Sequence, residues 1–189
     1  SSPAIIAVVL YVLETMQDEN HFFAPYYDML PRDYSFFPVF WSDADARAWL
    51  RGSPVLQDLR ERKRALRDDY DEVCRVVPGF AQRFPYDEFL KVRSAVGSRN
   101  FGIVVDGQKC TSLVPFADLL NHLRPRETTW TFDAAKDCFT ITTLSRLEPG
   151  QPVFDSYGRK SNARFLLHYG FTVEDNREDG ISQNELAVR

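Results

Sequence analysis

Cysteine is scarce here. Cys74, Cys110 and Cys138 are the only three in 189 residues, and they lie far apart. Neither a disulfide framework nor a zinc-ligand spacing can be built from them, which points to a reducing, intracellular setting. Histidine is as sparse: His21, His122 and His168 are all there are, so a three-histidine metal site would use every one. The chain has no glycine-rich phosphate loop, no HExxH run and no G-x-S-x-G elbow, which removes the commonest nucleotide, zinc-protease and hydrolase readings. No serine stands in a nucleophile-like turn, which argues against Ser-His-Asp chemistry. There is no basic block either. Twenty-three Lys and Arg are mixed with 27 Asp and Glu for a net charge of -4, so no nucleic-acid partner is expected. No glycine occurs before Gly52. The apolar run at the start breaks at Glu14, short of the roughly 20 residues that span a bilayer. It also lacks the basic flank and cleavage site of a signal peptide. We expect a buried helix there, with Ser2 as N-cap and Pro3 at the first helical position, and no membrane partner.

What the chain has in quantity is rings: 15 Phe, 8 Tyr and 3 Trp within a 44% hydrophobic composition. That suits a globular core, and the length suits one good-sized domain with or without an extension. Pro25, Pro31 and Pro38 break the aromatic stretch from Asp18 to Trp41 into connectors and a short helix near Tyr26 to Leu30. Ser42, Asp43 and Asp45 open a helix that Gly52 closes, with Ala46, Trp49 and Leu50 on one face. From Pro54 to Arg75 a long charged helix carries the stripe Val55, Leu59, Leu66, Tyr70 and Val73. Another helix runs from Tyr86 to about Ser98, turning Phe89, Val92 and Val96 inward. The Arg99 that follows is read most simply as capping the last carbonyls, and alternatively as a fixed cation for a carboxylate ligand.

After Phe101 the period changes from helix to strand. Asp106-Gly107 predicts a tight hairpin in GIVVDGQKCTSLVP. TTWTFDAAKDCFTITTL predicts a second, with Trp130 and Phe132 alternating on one arm and Phe139 and Ile141 on the other. Glu148-Pro149-Gly150-Gln151 has the residues of a type II turn. PVFDSY is a short strand, and Ser161 caps a helix from Asn162 to His168 that Gly170 closes. Asn121-His122 follows an apolar, strand-like run. By itself this is a polar pair at a strand end, and Tyr157 and Tyr169 are core rings with one hydrogen bond each.

Taken together, these stretches carry more. LVPFADLLNH has the spacing Pro-x-x-Asp-x-x-Asn-His. YGRKSNARFLLHYGF has the pattern Tyr-x-x-x-Ser-Asn-Ala-x-x-Leu-x-x-Tyr-Gly-Phe. With Ser98-Arg99-Asn100-Phe101 and LPRDYSFFPVFWSDADARAWLRGSPV, the chain from about Ala4 to Phe171 resembles the SET-domain protein methyltransferases. The likeness is to the branch of the Rubisco large-subunit lysine methyltransferase. The resemblance implies an α+β fold of short curved antiparallel sheets with a pseudoknot and a large helical insertion. It implies a division into a helical segment and insertion (1–101), a C-terminal SET core (102–171) and a tail (172–189) that begins a substrate-binding domain. The branch's Gly-x-Gly strand has no counterpart here, so the N-terminal strands of the fold are expected to lie outside these residues.

For function the resemblance implies methyl transfer from S-adenosyl-L-methionine to a lysine side-chain amine of a protein substrate, without a metal. Tyr157 would be the catalytic tyrosine. Arg99, Asn121, His122 and Tyr157 would contact the cofactor, and Arg99, Phe101, Asp118 and Tyr169 the substrate side. Two other readings stand beside it: a non-catalytic interaction module that lacks the full cofactor site, and a protein-histidine methyltransferase. Apolar Phe101 and Ala117, which offer an imidazole no polar donors, favour lysine over histidine. Cytoplasm, nucleus and plastid are equally compatible with the composition.

Overall fold

A computed structural model describes residues 2–178. Residues 179–189, most of the expected tail, lie outside the described residues, and so does Ser1. The helices are α1 (Pro3–Thr15), α2 (Ala24–Tyr27), α3 (Asp43–Leu50), α4 (Val55–Val76), α5 (Phe80–Arg83), α6 (Tyr86–Arg99) and α7 (Asn162–Tyr169). The strands are β1 (Asn100–Val105), β2 (Gln108–Leu113), β3 (Asn121–His122), β4 (Thr128–Asp133), β5 (Cys138–Thr143) and β6 (Phe154–Asp155). No described helix is long and apolar enough to cross a membrane. The chain forms two compact units that interleave in sequence. Among the described residues, one comprises 2–30 and Val73–Tyr157, the other Pro31–Glu72 and 158–178.

In the first unit α1 lies against α6 and β2. Pro25 and the proline at position 3 each start a helix, where a missing amide costs nothing. α1 is less deeply buried than its apolar composition predicts. Only Val9, Val12 and Leu13 are enclosed, while Ala4, Ala7 and Tyr11 stay exposed. The buried residues fall on one stripe at i, i+3 and i+4, the face turned to its neighbours, whatever the other faces carry. The second helix is likewise shorter than expected, ending at Tyr27. Phe80, Phe84 and Phe89 form a ring cluster, with centroids 5.2 Å (Phe80 to Phe84) and 6.4 Å (Phe80 to Phe89) apart.

Three two-stranded sheets follow. β1 and β2 pair antiparallel from Asn100↔Leu113 to Val105↔Gln108. Asp106 and Gly107 both have positive φ, 50° and 76°, as the tight hairpin turn demands. β4 and β5 pair from Thr128↔Thr143 to Asp133↔Cys138. The Asp133 carboxylate closes their turn by accepting the amides of Ala135 (3.0 Å) and Lys136 (3.3 Å). Phe101 from β1 sits edge-on to Trp130 (5.2 Å) and Phe139 (5.1 Å), which joins the two hairpins. β3 and β6 pair parallel through Asn121↔Phe154 and His122↔Asp155. The type II turn before β6 is present: the Gln151 amide donates to the Glu148 carbonyl at 3.1 Å, and Gly150 has φ 87°.

In the second unit Ser42 caps α3, its hydroxyl accepting the Asp45 amide at 3.1 Å. Ala46 and Leu50 are buried, but Trp49 is 77% exposed. On this short helix the enclosed stripe is a single i, i+4 pair, and Trp49 falls on its flank. On α4, Leu59, Leu66 and Tyr70 are buried as the charged-helix stripe predicts. Ser161 caps α7, and Gly170 ends it at φ 78° with its amide on the carbonyls of Phe165 and Leu166.

A methyl group at Gly170 would collide with the Phe36 ring, and the left-handed backbone there disfavours any L side chain. Gly170→Ala is therefore expected to lower the unfolding free energy by about 2 kcal/mol or more, read as a drop in urea midpoint. An unchanged midpoint would contradict this end to α7.

Candidate functional site

Arg99 ends α6, and its guanidinium reaches the segment that leads into β3. Nη1 donates to the Asp118 carbonyl at 3.0 Å and to Asp118 Oδ2 at 3.3 Å. The Asp118 side chain is fully enclosed. A second donor meets the same oxygen: the Tyr26 hydroxyl, 2.7 Å away. Burial, and then the Asp118 carboxylate it donates to, push Tyr26 far above the usual range of a phenol. The remaining oxygen, Asp118 Oδ1, is buried without a hydrogen-bond partner.

Asp118 is not on a strand, as the apolar run before Asn121 suggested. It sits in a 3₁₀ turn, Ala117–Leu119, entered through Phe116 at φ 73°, ψ -43°. That conformation is costly for a residue with a Cβ, and the Phe116 ring is 76% exposed. The chain bends sharply here to place an acid inside and a ring outside. A strand would have placed Asp118 two steps from Leu120 on the same face.

Beyond the turn the chain extends through Leu120 into β3. Tyr157 closes on this segment by three contacts. Its hydroxyl donates to the Leu120 carbonyl at 2.7 Å. Its amide donates to His122 Nδ1 at 3.0 Å. Its ring lies tilted on the imidazole, with centroids 5.2 Å apart. Because Nδ1 accepts, a neutral His122 carries its proton on Nε2. The backbone is stitched as well: the Leu123 amide donates to the Asp155 carbonyl at 2.9 Å, and the Thr128 hydroxyl to the Phe154 carbonyl at 2.8 Å. Asp155 is buried, and that burial raises its carboxyl above the usual range, with the Ser156 amide and Arg126 opposing the rise.

The structure thus brings Arg99 to Asp118, and Tyr157 to Leu120 and His122, while Asn121 pairs with Phe154 in the same short sheet. Phe101, two residues beyond Arg99 in β1, packs edge-on against Trp130 and Phe139. Tyr169 belongs to the second unit, where its ring lies on Phe165 and Phe171 with the Lys160 ammonium 5.6 Å above it. Burial, and then Arg164, lower the Lys160 pKa. Sequence reasoning missed Tyr26, which reads as one more ring in an aromatic stretch, and the Leu120 carbonyl, which no side-chain pattern marks. The Tyr26 ring also lines a cavity of about 370 Å³ with Val8, Tyr11, Phe23, Leu113 and Pro115.

With that geometry in view, comparison with known proteins is specific about the fold. No protein-family model matches the chain. Over 186 residues it is 25% identical to the ribosomal lysine N-methyltransferase set10 of Schizosaccharomyces pombe, covering 96% of this chain and 34% of the relative. It is also 25% identical to the actin-histidine N-methyltransferase of Homo sapiens, covering 93% of this chain and 31% of the relative. The chain therefore spans about a third of the length of these curated relatives. Among solved structures it resembles the SET domain of LSMT bound to lysine and AdoHcy. That match has a TM-score of 0.75 and 22% identity, over 92% of this chain and 41% of the other. Rubisco LSMT bound to AdoMet matches with a TM-score of 0.71 and 22% identity, over 90% and 40% of the two chains. The chain has the SET-domain fold, and its curated relatives are protein methyltransferases.

Burial of the Tyr26 hydroxyl, and then its bond to Asp118, should make stability fall in alkali. The pKa of Tyr26 is raised by folding, so the folded chain holds a proton that the unfolded chain releases near pH 10. Its contribution is complete below about pH 10 and declines as the pH rises beyond that. Tyr26→Phe should flatten the fall in urea midpoint above about pH 10; an unaltered slope would show that another group causes it.

Proposed function

We propose that this chain is part of an S-adenosyl-L-methionine-dependent protein methyltransferase that acts on a lysine side-chain amine. The observation that carries the reading is the triple hold of Tyr157 on the Leu120–His122 segment. It joins two motifs 35 residues apart at a single point. The relatives' names support methyl transfer to protein, and the two of them differ in acceptor, lysine in one and histidine in the other. Lysine is favoured by Phe101 and Ala117, both buried and without polar donors for an imidazole.

The residues present fit one wall of a cofactor site. The Asn121 side chain is exposed, His122 is half-buried beside it, and β3 pairs with β6 along one edge. Asn121 and His122 would hold the cofactor, with Arg99 and Tyr157 at its margin. When bound, S-adenosyl-L-methionine supplies an activated methyl group on a cationic sulfonium. The protein's task is then to orient an amine and keep it neutral. A free lysine titrates near pH 10.4, so it must lose a proton to become nucleophilic, and a dry, ring-lined channel favours that loss. The Tyr157 hydroxyl donates to the Leu120 carbonyl, and in this reading its phenol oxygen would accept an N–H from the amine. Such a fixed acceptor aims the nitrogen lone pair, the main requirement of an in-line displacement. Asp118 holds this segment, Arg99 neutralises it, and the Phe101 ring supports the apolar side. Tyr169 enters the proposal on its motif alone, as a ring toward the acceptor.

Tyr157→Phe removes the hydroxyl and keeps the ring. It should lower turnover with labelled S-adenosyl-L-methionine by about 100-fold, while calorimetric affinity for the cofactor changes by less than about twofold. Undiminished turnover would remove Tyr157 from this role. Absence of saturable cofactor binding even with the upstream glycine strand present would favour a non-catalytic module, and mass spectrometry of the product distinguishes lysine from histidine.

A further inference from the structure

Tyr26 lies 92 residues before Asp118 in sequence, yet its hydroxyl makes the shortest contact to that carboxylate. We propose that Tyr26 is a positioning residue: through Asp118 it fixes the turn that sets where Leu120 and His122 hold Tyr157. The linkage rests on geometry, and its consequence for turnover rests on the methyl-transfer reading above.

Only one carboxylate oxygen of Asp118 is bonded, and it has two donors, Tyr26 at 2.7 Å and Arg99 at 3.3 Å. Oδ1 is buried and unpartnered. An enclosed carboxylate so thinly satisfied depends heavily on each donor. Without the Tyr26 hydroxyl, Asp118 would keep one long contact and would gain by turning toward water. Two features oppose that movement, the second Arg99 bond to the Asp118 carbonyl and the packing of Ala117. One feature favours it: Phe116 just upstream sits at φ 73°, a conformation that relaxes once the turn is released. Two residues downstream the Leu120 carbonyl takes the Tyr157 hydroxyl. Any shift of Asp118 is therefore passed directly to that acceptor. Burial keeps Tyr26 protonated, and hence a donor, throughout the neutral range.

The adjacent tyrosine provides the control. The Tyr27 hydroxyl meets Thr15 Oγ1 at 2.6 Å, and it is not bonded to the 118–122 segment. In Tyr26→Phe, hydrogen exchange at the Leu123 and Tyr157 amides should quicken about tenfold or more relative to the β4–β5 hairpin amides, the effect of losing one hydrogen bond to a charged group. In the same variant kcat with S-adenosyl-L-methionine should fall by about tenfold, with the cofactor KM changed less than about threefold. Tyr27→Phe should move neither ratio. Asp118→Asn weakens the same link from the other side and decides the matter if Tyr26→Phe does not fold. Exchange that is unchanged, or that quickens equally in the hairpin, would overturn the proposal. Selective quickening in a protein that shows no methyl transfer even with the upstream glycine strand supplied would support the linkage and overturn only the methyltransferase reading.

Discussion

A carboxylate removed from water has to be met by donors, and Asp118 is the place where this chain bears that cost. Its side chain is fully enclosed, and its donors come from two distant helices, Arg99 at the end of α6 and Tyr26 in α2. An unpaired buried charge costs several kcal/mol, so each of the three groups depends on the others for its place. That condition ties the aromatic stretch near the start of the chain to the turn before β3. It also explains why Phe116 tolerates a backbone conformation that a ring-bearing residue otherwise avoids.

What the tie holds in place is a small and otherwise fragile junction. β3 and β6 pair over only two residues each, and each backbone bond there nets about 0.5–1.5 kcal/mol. Side chains make up the difference. Tyr157 is bound through its hydroxyl, its amide and its ring, and the Thr128 hydroxyl fastens β6 from a neighbouring hairpin. A tyrosine held at three points has little rotamer freedom left to lose. That is the preorganisation the proposed methyl transfer would call for, with orientation as the main contribution to rate.

Much of the fold was legible from local chemistry. Asp106-Gly107, Glu148-Pro149-Gly150-Gln151, the Ser42 and Ser161 caps and the Gly170 stop all stand where their residue types require. Features set by tertiary packing were not. The apolar faces of α1 and the exposed Trp49 depend on how many neighbours a helix has, which no periodicity encodes. The turn before Asn121 read as a strand because Leu, Pro, Phe and Ala carry no sign of a positive φ at Phe116. At the site, His122 and Tyr157 were legible through paired motifs. Their partners were not: Leu120 acts through a backbone carbonyl, and Tyr26 is one ring among many until its hydroxyl is seen to reach Asp118.

Asp118 and Tyr157, joined through Leu120, should form one coupled unit. A double-mutant cycle in urea unfolding, with Asp118→Asn, Tyr157→Phe and both together, measures that coupling directly. The expected interaction energy is about 0.5–3 kcal/mol, the range for residues that share a network. Additivity within about 0.3 kcal/mol would contradict it, because independent sites add to within that margin.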